Sequence, residues 1–428
     1  MKVALVSTLS YPVALGLRYI SAYLKRHGHD VRLIFMTARR EEFHRPYPPQ
    51  LVAEFIDLVR DADLIGMTVI TNTFYKAAEL TDAIKRAGLT SPVVWGGTHA
   101  TVAPQECLQH ADLVCTGEGE GTMLELVEAL QTGKDVASVA NLAMRRNGQV
   151  LRNPVRPLIN ELDALPFPDY ALEQGQYVAW KDRLVPATPQ RLRGALRRYR
   201  LLTTRGCPFG CTFCNNRAVQ DIYQQHRAGW VRKRSPENCI AELEAVLARY
   251  PVRAVNIIDD LFFVRSEQEI EQFARLYKQR IGLPMEADAH PALVTRRKVE
   301  ALVEAGCYMI SMGIQSGSRR TLYEVYNRRT SPATVARAIG ILADSGVFAE
   351  YHYLVQNPFE TEADLLETLR FVAENHRGRY KTRLFPLIFY PGTPLYWRAR
   401  SEGYILSLIH ISEPTRPLYI SYAVFCLK

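Results

Sequence analysis

The chain has 428 residues, 47% of them hydrophobic and 23% charged, with a formal net charge of +9. These values describe an ordinary soluble globular protein of two or three domains. No segment reaches the roughly 18 uncharged apolar residues of a membrane span, and the N-terminus reads as a strand, not a signal peptide, so we expect a cytoplasmic protein.

Residues 1–150 alternate between apolar, strand-like runs and segments with helical periodicity. Strands are predicted at residues 2–6, 30–35, 63–69, 92–95 and 112–115. Helices are predicted at residues 11–28, at residues 74–87 and up to residue 130. This alternation predicts a parallel, doubly wound sheet of the flavodoxin or Rossmann type. Ligands of such sheets bind beyond the carboxyl ends of the strands.

Short loops rich in glycine and threonine occupy those strand ends. Glycine there lets a flat or phosphate-bearing ligand approach the backbone, although many such loops are simple turns. The candidate ligand-binding residues of these loops are Gly96, Gly97, Thr98, His99, Gly117, Glu118 and Gly119. A lone histidine is more often a loop residue than a metal ligand, so we interpret His99 as lining a loop or pocket.

Residues 151–199 form a linker punctuated by prolines. Its end is rich in arginine, with Arg191, Arg193, Arg197, Arg198 and Arg200 close together. This run is either a solvated basic face or a clamp for an acidic substrate or a cofactor phosphate. No convincing stacking pattern accompanies it, so a nucleic-acid partner is not expected.

Three cysteines follow the linker in the spacing C-x3-C-x2-C: Cys207, Cys211 and Cys214. Most of the eight cysteines lie elsewhere, and this clustering suggests ligands in a reducing compartment instead of disulfides. Thiolates this close can hold three corners of a [4Fe–4S] cube, which usually has four cysteine ligands. One iron would then keep an open position. A zinc knuckle lacking a ligand and three unrelated cysteines are the alternatives.

Residues 200–405 resume the alternation of strands and helices. Strands are predicted at residues 199–203, 254–258, 284–288, 308–313, 347–355 and 382–390. Six such repeats predict a partial (β/α)6 barrel, whose site lies at the C-terminal strand ends. Candidate ligand-binding residues at these ends are Asp259, Asp260, Gly313, Gln315 and Ser316. Asp288, His290, Tyr351, His352, Tyr353 and Gln356 are further candidates, although packing explains the aromatic ones equally well.

The cysteine spacing, with Phe213 before the last cysteine, resembles the signature of radical S-adenosylmethionine (SAM) enzymes. This resemblance implies that SAM binds the open iron of the cluster and is cleaved reductively to a 5′-deoxyadenosyl radical. It also implies cofactor contacts from Phe213, Gln315 and Ser316. Asp259 and Asp260 are candidates for the ammonium group of SAM or for the substrate.

The N-terminal loops together resemble the cobalamin-binding domain that precedes many radical SAM enzymes. This resemblance implies cobalamin contacts from those loops and also from Leu15, Gly16 and Thr71. The connector at residues 165–169 resembles the short segment that joins those two domains. The D-x-H-x-x-G motif that supplies a lower cobalt ligand in other cobalamin folds is absent, as it generally is in this branch. His99 is therefore not predicted to bind cobalt.

The double resemblance implies a cobalamin-dependent radical SAM enzyme, foremost a C-methyltransferase that uses methylcobalamin. A cyclase, oxidase or ring-contracting enzyme with the same cofactors is the alternative. An RNA-modifying methylthiotransferase is disfavoured because only Cys107 and Cys115 occur in the N-terminal part. A non-catalytic corrinoid carrier leaves the cysteine run unexplained. The expected partners are a small-molecule substrate, with an anionic one favoured by the net charge, and a reductant such as flavodoxin or ferredoxin.

Residues 406–428 resemble a translated sequencing adapter. We therefore expect the native sequence to be interrupted at about Ile405, with any native C-terminal domain missing from this chain.

Overall fold

The computed structural model describes residues 1–9, 12–37, 45–226 and 229–405. The adapter-like tail lies outside the described residues. One unit comprises Met1–Leu196 and Val219–Arg227, and the other comprises Arg197–Ala218 and the chain from Ala228 onward. Among the described residues, no helix is long and apolar enough to cross a bilayer.

A largely parallel sheet organises the first unit. Its strands are β1 (Lys2–Ser7), β2 (Asp30–Phe35), β3 (Leu64–Thr68), β4 (Val93–Gly96), β5 (Leu113–Cys115), β6 (Leu142–Arg146), β7 (Gln149–Arg152), β8 (Gln176–Trp180) and β9 (Arg183–Pro186). In the described part of the chain they pair in the order β7-β6-β5-β4-β3-β1-β2-β8-β9. The central order β2-β1-β3-β4-β5 is parallel and flavodoxin-like. The predicted doubly wound sheet is confirmed.

Helices pack against this sheet and bury its central strands. They are α1 (Leu15–Arg26), α2 (Pro49–Val59), α3 (Phe74–Arg86), α4 (Thr98–Val102), α5 (Pro104–Cys107), α6 (Glu120–Thr132) and α7 (Arg193–Arg197). α1 packs with α6, and α2 packs with α3. β1 is consequently buried from its second residue to its last, which is typical of a parallel sheet covered on both faces.

The linker predicted at residues 151–199 carries more structure than its prolines suggested. β8 lies parallel to β2, and β9 returns antiparallel to β8. The buried guanidinium of Arg18 donates to the backbone oxygen of Asp169 over 2.5 Å and to Gln176 Oε1 over 2.9 Å. The Asp169 carboxylate accepts a hydrogen bond from Ser21 Oγ over 2.6 Å. This segment is therefore anchored to α1 and extends the sheet of the first unit.

A second parallel sheet organises the other unit. The strands of this unit are β10 (Arg198–Leu201), β11 (Thr204–Arg205), β12 (Arg232–Lys233), β13 (Ala254–Ile257), β14 (Met285–Ala289), β15 (Cys307–Gln315), β16 (Phe348–Val355) and β17 (Tyr380–Pro386). Over the residues described, β10-β13-β14-β15-β16-β17 form the sheet, and β11 pairs antiparallel with β12. The predicted partial (β/α)6 architecture is confirmed.

The helices of this part connect successive strands. They are α8 (Asn215–Ile222), α9 (Pro236–Leu247), α10 (Glu267–Arg280), α11 (Arg296–Glu304), a π-helix (Thr321–Val325), α12 (Pro332–Asp344), α13 (Glu362–Asn375) and α14 (Pro394–Ser401). From α9 onward, each α-helix begins behind a hydroxyl side chain that accepts a backbone N–H. These caps are Ser235, Ser266, Thr295, Ser331, Thr361 and Thr393.

Candidate cofactor and substrate site

The three predicted cluster ligands lie on one loop, the cysteine loop, which follows β11. Gly206 opens this loop with a φ of 89°, and a Cβ there would lie 2.3 Å from the backbone oxygen of Trp230. The indole Nε1 of Trp230 donates to the backbone oxygen of Cys207 over 3.0 Å. Cys211 is buried, whereas Cys207 and Cys214 are half-buried. Only glycine fits at position 206, so packing against Trp230 fixes the start of the loop.

The three thiols are close enough to influence one another. Burial raises the pKa of Cys207 to about 11 and that of Cys214 to about 12, and the neighbouring Cys211 thiol adds to both shifts. Among the described side chains, no group of three converges as the ligands of a single metal ion do. In a [4Fe–4S] cube each thiolate binds a different iron, so the ligands surround the cluster instead of meeting at one point. Three thiols on one loop are a donor set that a [4Fe–4S] cube can use, with one iron left without a cysteine ligand.

Asp259 secures the chain that leads into the cysteine loop. Its carboxylate is only 5% exposed and accepts hydrogen bonds from Thr203 N over 2.5 Å, Thr203 Oγ1 over 2.5 Å and Thr204 N over 2.9 Å. Burial raises the pKa of Asp259, and these hydrogen bonds oppose that shift. Asp260 is exposed and accepts a hydrogen bond from Gly206 N over 2.9 Å. The Asp259 carboxylate is thus occupied by its hydrogen bonds to Thr203 and Thr204, whereas the Asp260 carboxylate remains accessible.

A segment that no sequence pattern marked, the closing segment Val325–Arg328, packs against the cysteine loop. Thr212 donates from its amide to the Tyr326 oxygen over 3.0 Å and from its hydroxyl to the Val325 oxygen over 2.6 Å. The ring of Phe213 packs edge-on against Tyr326, with centroids 5.0 Å apart. The closing segment begins at Val325, the last residue of the π-helix, and such helices are frequent at functional sites.

The end of β15 carries three of the predicted cofactor contacts. Gln315 has a left-handed φ of 78°, which is uncommon outside glycine. Ser316 is buried, and its Oγ is hydrogen-bonded to Glu360 Oε1 over 3.1 Å and to Thr368 Oγ1 over 3.0 Å. A Cβ at Gly313 would lie 2.5 Å from Gln315 Nε2. The Ser316 hydroxyl therefore secures the chain after β15, whereas Gln315 is held in a specific, strained geometry.

A row of polar side chains, the polar row, runs across one face of the second sheet. Asp288 lies beside Ser311, which lies beside Glu350. His352 Nε2 is 2.9 Å from Glu350 Oε1, and Arg383 Nη1 donates to the same oxygen over 3.3 Å. Asp288 is exposed and accepts a hydrogen bond from Ser311. Ionisable groups thus line one face of a sheet whose other face is apolar.

Other predicted lining residues fall into two groups. Tyr351 and Tyr353 are buried on the opposite face of β16, where the Tyr353 hydroxyl lies 2.9 Å from His376 Nε2. The two tyrosines therefore have packing contacts. The sequence had not distinguished packing from pocket lining for them. His290 stacks on Phe209 of the cysteine loop, with centroids 3.7 Å apart. His290 therefore lies at the cysteine loop, and the two tyrosines do not.

Asp288→Asn is expected to change how stability depends on pH. Although solvent reaches the exposed Asp288 side chain, the protein atoms packed around its carboxyl still displace much of its hydration and raise its pKa to about 6. Asp259 and Glu350 act in the same direction, and His352 and Ser311 oppose the shift. Because the pKa in the folded state exceeds the unfolded value of about 3.9, the stabilising contribution is present at low pH and is lost as pH rises through about 6. The free energy of unfolding of Asp288→Asn minus that of the wild type should therefore increase between pH 4 and 6 and then level off.

Urea unfolding of both proteins across that pH range measures this difference. A difference that does not vary with pH would show that the Asp288 carboxyl titrates normally.

Side chains of the protein pack against the glycines in the loop after β5. Gly117 has a φ of 83°, and a Cβ there would lie 1.9 Å from the hydroxyl of Tyr223. That hydroxyl accepts a hydrogen bond from Glu118 N over 3.0 Å. A Cβ at Gly119 would lie 2.7 Å from Ile20 of α1. Close packing within the first unit thus accounts for both glycines, independently of a ligand.

His99 belongs to the core of the first unit. Its imidazole is fully buried, lies 3.1 Å from Thr71 Oγ1 through Nδ1 and packs edge-on against Phe74 at 5.1 Å. Gly97, with a φ of 97°, would place a Cβ 2.8 Å from the Val69 backbone oxygen. Thr71 and Gly97 therefore have structural roles of their own.

Of the ten predicted N-terminal contacts, only Thr71 and His99 are buried, and the other eight are exposed or half-buried. Gly16 is exposed, and a Cβ there would meet nothing within 4 Å. Leu15, Gly96 and Thr98 are half-buried at the carboxyl ends of β1 and β4. Gly97, Gly117, Glu118 and Gly119 are half-buried as well, but they have the contacts within the protein described above.

Gly117→Ala is expected to destabilise the first unit by about 2–4 kcal/mol, because a left-handed alanine costs about 1–2 kcal/mol and the Tyr223 hydrogen bond is lost as well. Gly133→Ala is the matched control, since Gly133 has a φ of 67° with open space around it. Denaturant unfolding should show a loss of about 1–2 kcal/mol for this control. Equal losses in the two variants would contradict the role given to Tyr223.

Comparison with known proteins connects both units to described families. The B12 binding domain model matches residues 1–127, and the Radical SAM superfamily model matches residues 201–372. An uncharacterized methyltransferase of Pyrococcus horikoshii is 27% identical over 397 residues, which cover 92% of this chain and 80% of that protein. The anaerobic magnesium-protoporphyrin IX monomethyl ester cyclase of Rubrivivax gelatinosus is 26% identical over 365 residues, which cover 83% of this chain and 61% of that protein.

A solved structure has the same fold. It is the radical SAM methyltransferase TsrM from Kitasatospora setae with cobalamin and a [4Fe–4S] cluster bound, at 17% identity. The superposition has a TM-score of 0.72 and covers 94% of this chain and 75% of that one. The chain thus combines a B12-binding domain with a radical SAM domain, and it has relatives in sequence over most of its length.

Proposed function

We propose that this chain is a cobalamin-dependent radical SAM methyltransferase acting on a small molecule. The observation that carries the proposal is the presence, in one chain, of a flavodoxin-like B12-binding domain and a three-cysteine loop at the first strand of a radical SAM sheet. When bound, SAM with the cluster supplies a 5′-deoxyadenosyl radical, and cobalamin supplies a transferable methyl group. The protein positions these groups and excludes water from them.

In this proposal Cys207, Cys211 and Cys214 hold the [4Fe–4S] cluster. Asp260 offers its open carboxylate to the ammonium group of SAM, because it is exposed and already fixed by Gly206 N. Gln315 contacts SAM from the end of β15, where its left-handed backbone turns it out of the strand. The remaining predicted contacts have positioning roles. Asp259 and Ser316 act through their hydrogen bonds, Phe213 packs on Tyr326, and Gly313 leaves room for the Gln315 side chain.

The proposed cobalamin contacts are the accessible residues Leu15, Gly16, Gly96 and Thr98. Gly16 is the best supported, because it is exposed and, among the described residues, no atom lies within 4 Å of where its Cβ would be. The other predicted contacts are held in place by contacts within the protein: Thr71, Gly97, His99, Gly117, Glu118 and Gly119. Only Thr71 and His99 among them are buried.

The polar row is the proposed contact for the substrate. Asp288 and His352 present ionisable groups near the cofactor end of the sheet, and Glu350 orients His352. Arg383 suits an anionic group on the substrate. The net charge of +9 suits an acidic one-electron reductant such as flavodoxin or ferredoxin.

Product analysis tests methyl transfer without knowledge of the substrate. The anaerobically reconstituted protein is incubated with SAM and a strong one-electron reductant, with and without added cobalamin. Methyl transfer predicts S-adenosylhomocysteine that forms only when cobalamin is present, alongside 5′-deoxyadenosine. Formation of 5′-deoxyadenosine alone would favour the cyclase or oxidase, the activity class suggested by the relative from Rubrivivax gelatinosus.

A further inference from the structure

Arg328, at the end of the closing segment, reaches a predicted cluster ligand. Its Nη1 donates to the Sγ of Cys211 over 3.6 Å, which is within hydrogen-bonding distance for sulfur. Its Nη2 donates to the backbone oxygen of Gly313 over 2.5 Å. The side chain is 7% exposed. One end of the guanidinium is therefore fixed on β15 while the other end faces the cysteine loop.

The backbone around Arg328 holds it in this place. Its amide donates to the Leu322 oxygen over 2.7 Å. The preceding residue, Asn327, has a left-handed φ of 46° and donates from Nδ2 to the Gly210 oxygen over 3.1 Å. The closing segment and the cysteine loop are thus joined on both sides of Cys211.

The charge of Arg328 is not matched by an acidic partner. Among the described residues, no carboxylate oxygen lies within ion-pairing distance of its guanidinium, and its Nε has no hydrogen-bond partner. A buried cation without a counter-charge is costly unless an anion completes the site. The nearest group that becomes anionic on binding iron is the Cys211 thiolate.

We propose that Arg328 is a positioning residue that raises the reduction potential of the cluster through its N–H···S hydrogen bond to Cys211. This inference rests on the proposed function. Reduction adds one electron, and hence one negative charge, to the cluster without breaking a bond. A cationic donor on a ligating sulfur stabilises the more negative, reduced form, and hydrogen bonds to sulfur are known determinants of cluster potential.

The test is a redox titration of the reconstituted protein, followed by the electron paramagnetic resonance (EPR) signal of the reduced cluster in the absence of SAM. Arg328→Gln should lower the equilibrium constant for reduction about tenfold, which is about 59 mV for a one-electron couple. Arg328→Lys keeps the charge but loses the two-pronged geometry, so a loss of about threefold is expected. Arg329→Gln is the matched control, because Arg329 is exposed and adjacent; its potential should equal that of the wild type.

Iron and sulfide contents separate this inference from the function on which it rests. A wild-type protein that binds no cluster would overturn the proposed function itself. A fully loaded Arg328→Gln protein with an unchanged potential would overturn the role of Arg328 alone, as would an equal shift in Arg329→Gln. If the glutamine variant does not retain the cluster, an unchanged potential in Arg328→Lys has the same meaning.

Discussion

Replacement of Cys211 by alanine is expected to abolish reductive SAM cleavage, leaving no 5′-deoxyadenosine above background. The loop supplies three thiolates, so the loss of one removes a protein ligand from a cluster that already lacks a fourth cysteine. The decisive measurements are iron and sulfide contents after anaerobic reconstitution, and the 5′-deoxyadenosine formed with dithionite and SAM.

Two other cysteines serve as controls. Cys239 lies on α9 and Cys307 on β15, and both are buried outside the cysteine loop. Cys239→Ala and Cys307→Ala should retain iron and product. Retained 5′-deoxyadenosine in Cys211→Ala would refute the ligand role, and loss in all three variants would indicate unfolding instead of loss of a ligand.

Asp259→Ala is expected to have the largest effect on stability. The carboxylate accepts three hydrogen bonds, from the amide and hydroxyl of Thr203 and the amide of Thr204. Each buried donor left without an acceptor costs about 1–3 kcal/mol, so the three donors together predict a loss of about 3–9 kcal/mol in the free energy of unfolding. Since these residues lead into the cysteine loop, iron retention should fall as well.

Asp259→Asn is the matched variant. Asparagine keeps one oxygen for the two amides, and the Thr203 hydroxyl can accept a hydrogen bond from the new Nδ2 group. Urea unfolding should therefore show a loss of only about 1 kcal/mol. A stable, iron-loaded Asp259→Ala protein that no longer binds SAM would instead show that Asp259 is a ligand-binding residue and not an anchor.

The architecture was predictable because apolar strands alternate with helical segments at a regular spacing. The predicted third and fourth strands, at residues 63–69 and 92–95, differ from β3 and β4 by one residue at each end. The strands β8 and β9 were missed because prolines surround them and obscure their short period-two pattern. Their place in the sheet depends on Arg18, a buried contact that is distant in sequence from them.

The candidate site was only partly predictable. The cysteines are local in sequence, so their spacing alone indicates a shared ligand. Trp230 and Arg328 reach the same loop from distant segments, and a single arginine or tryptophan carries no spacing signal.

The sequence also did not determine which face of β16 carries Tyr351, because the strand is polar on one face and aromatic on the other. Register and packing decide these assignments.

The glycines show the same limit. A glycine after a parallel strand indicates that some group comes close to the backbone there, but it does not identify that group. At Gly117 the approaching group is Tyr223, whereas Gly16 faces open space. The two glycines differ in whether a residue that is remote in sequence packs against them, and the sequence alone does not show this.

The most direct test of the central claim is the EPR spectrum of the reduced, reconstituted protein before and after addition of SAM. The account predicts a [4Fe–4S] signal that depends on Cys207, Cys211 and Cys214 and that changes when SAM binds the open iron, followed by release of 5′-deoxyadenosine. A signal that SAM leaves unchanged, with no 5′-deoxyadenosine formed, would contradict it.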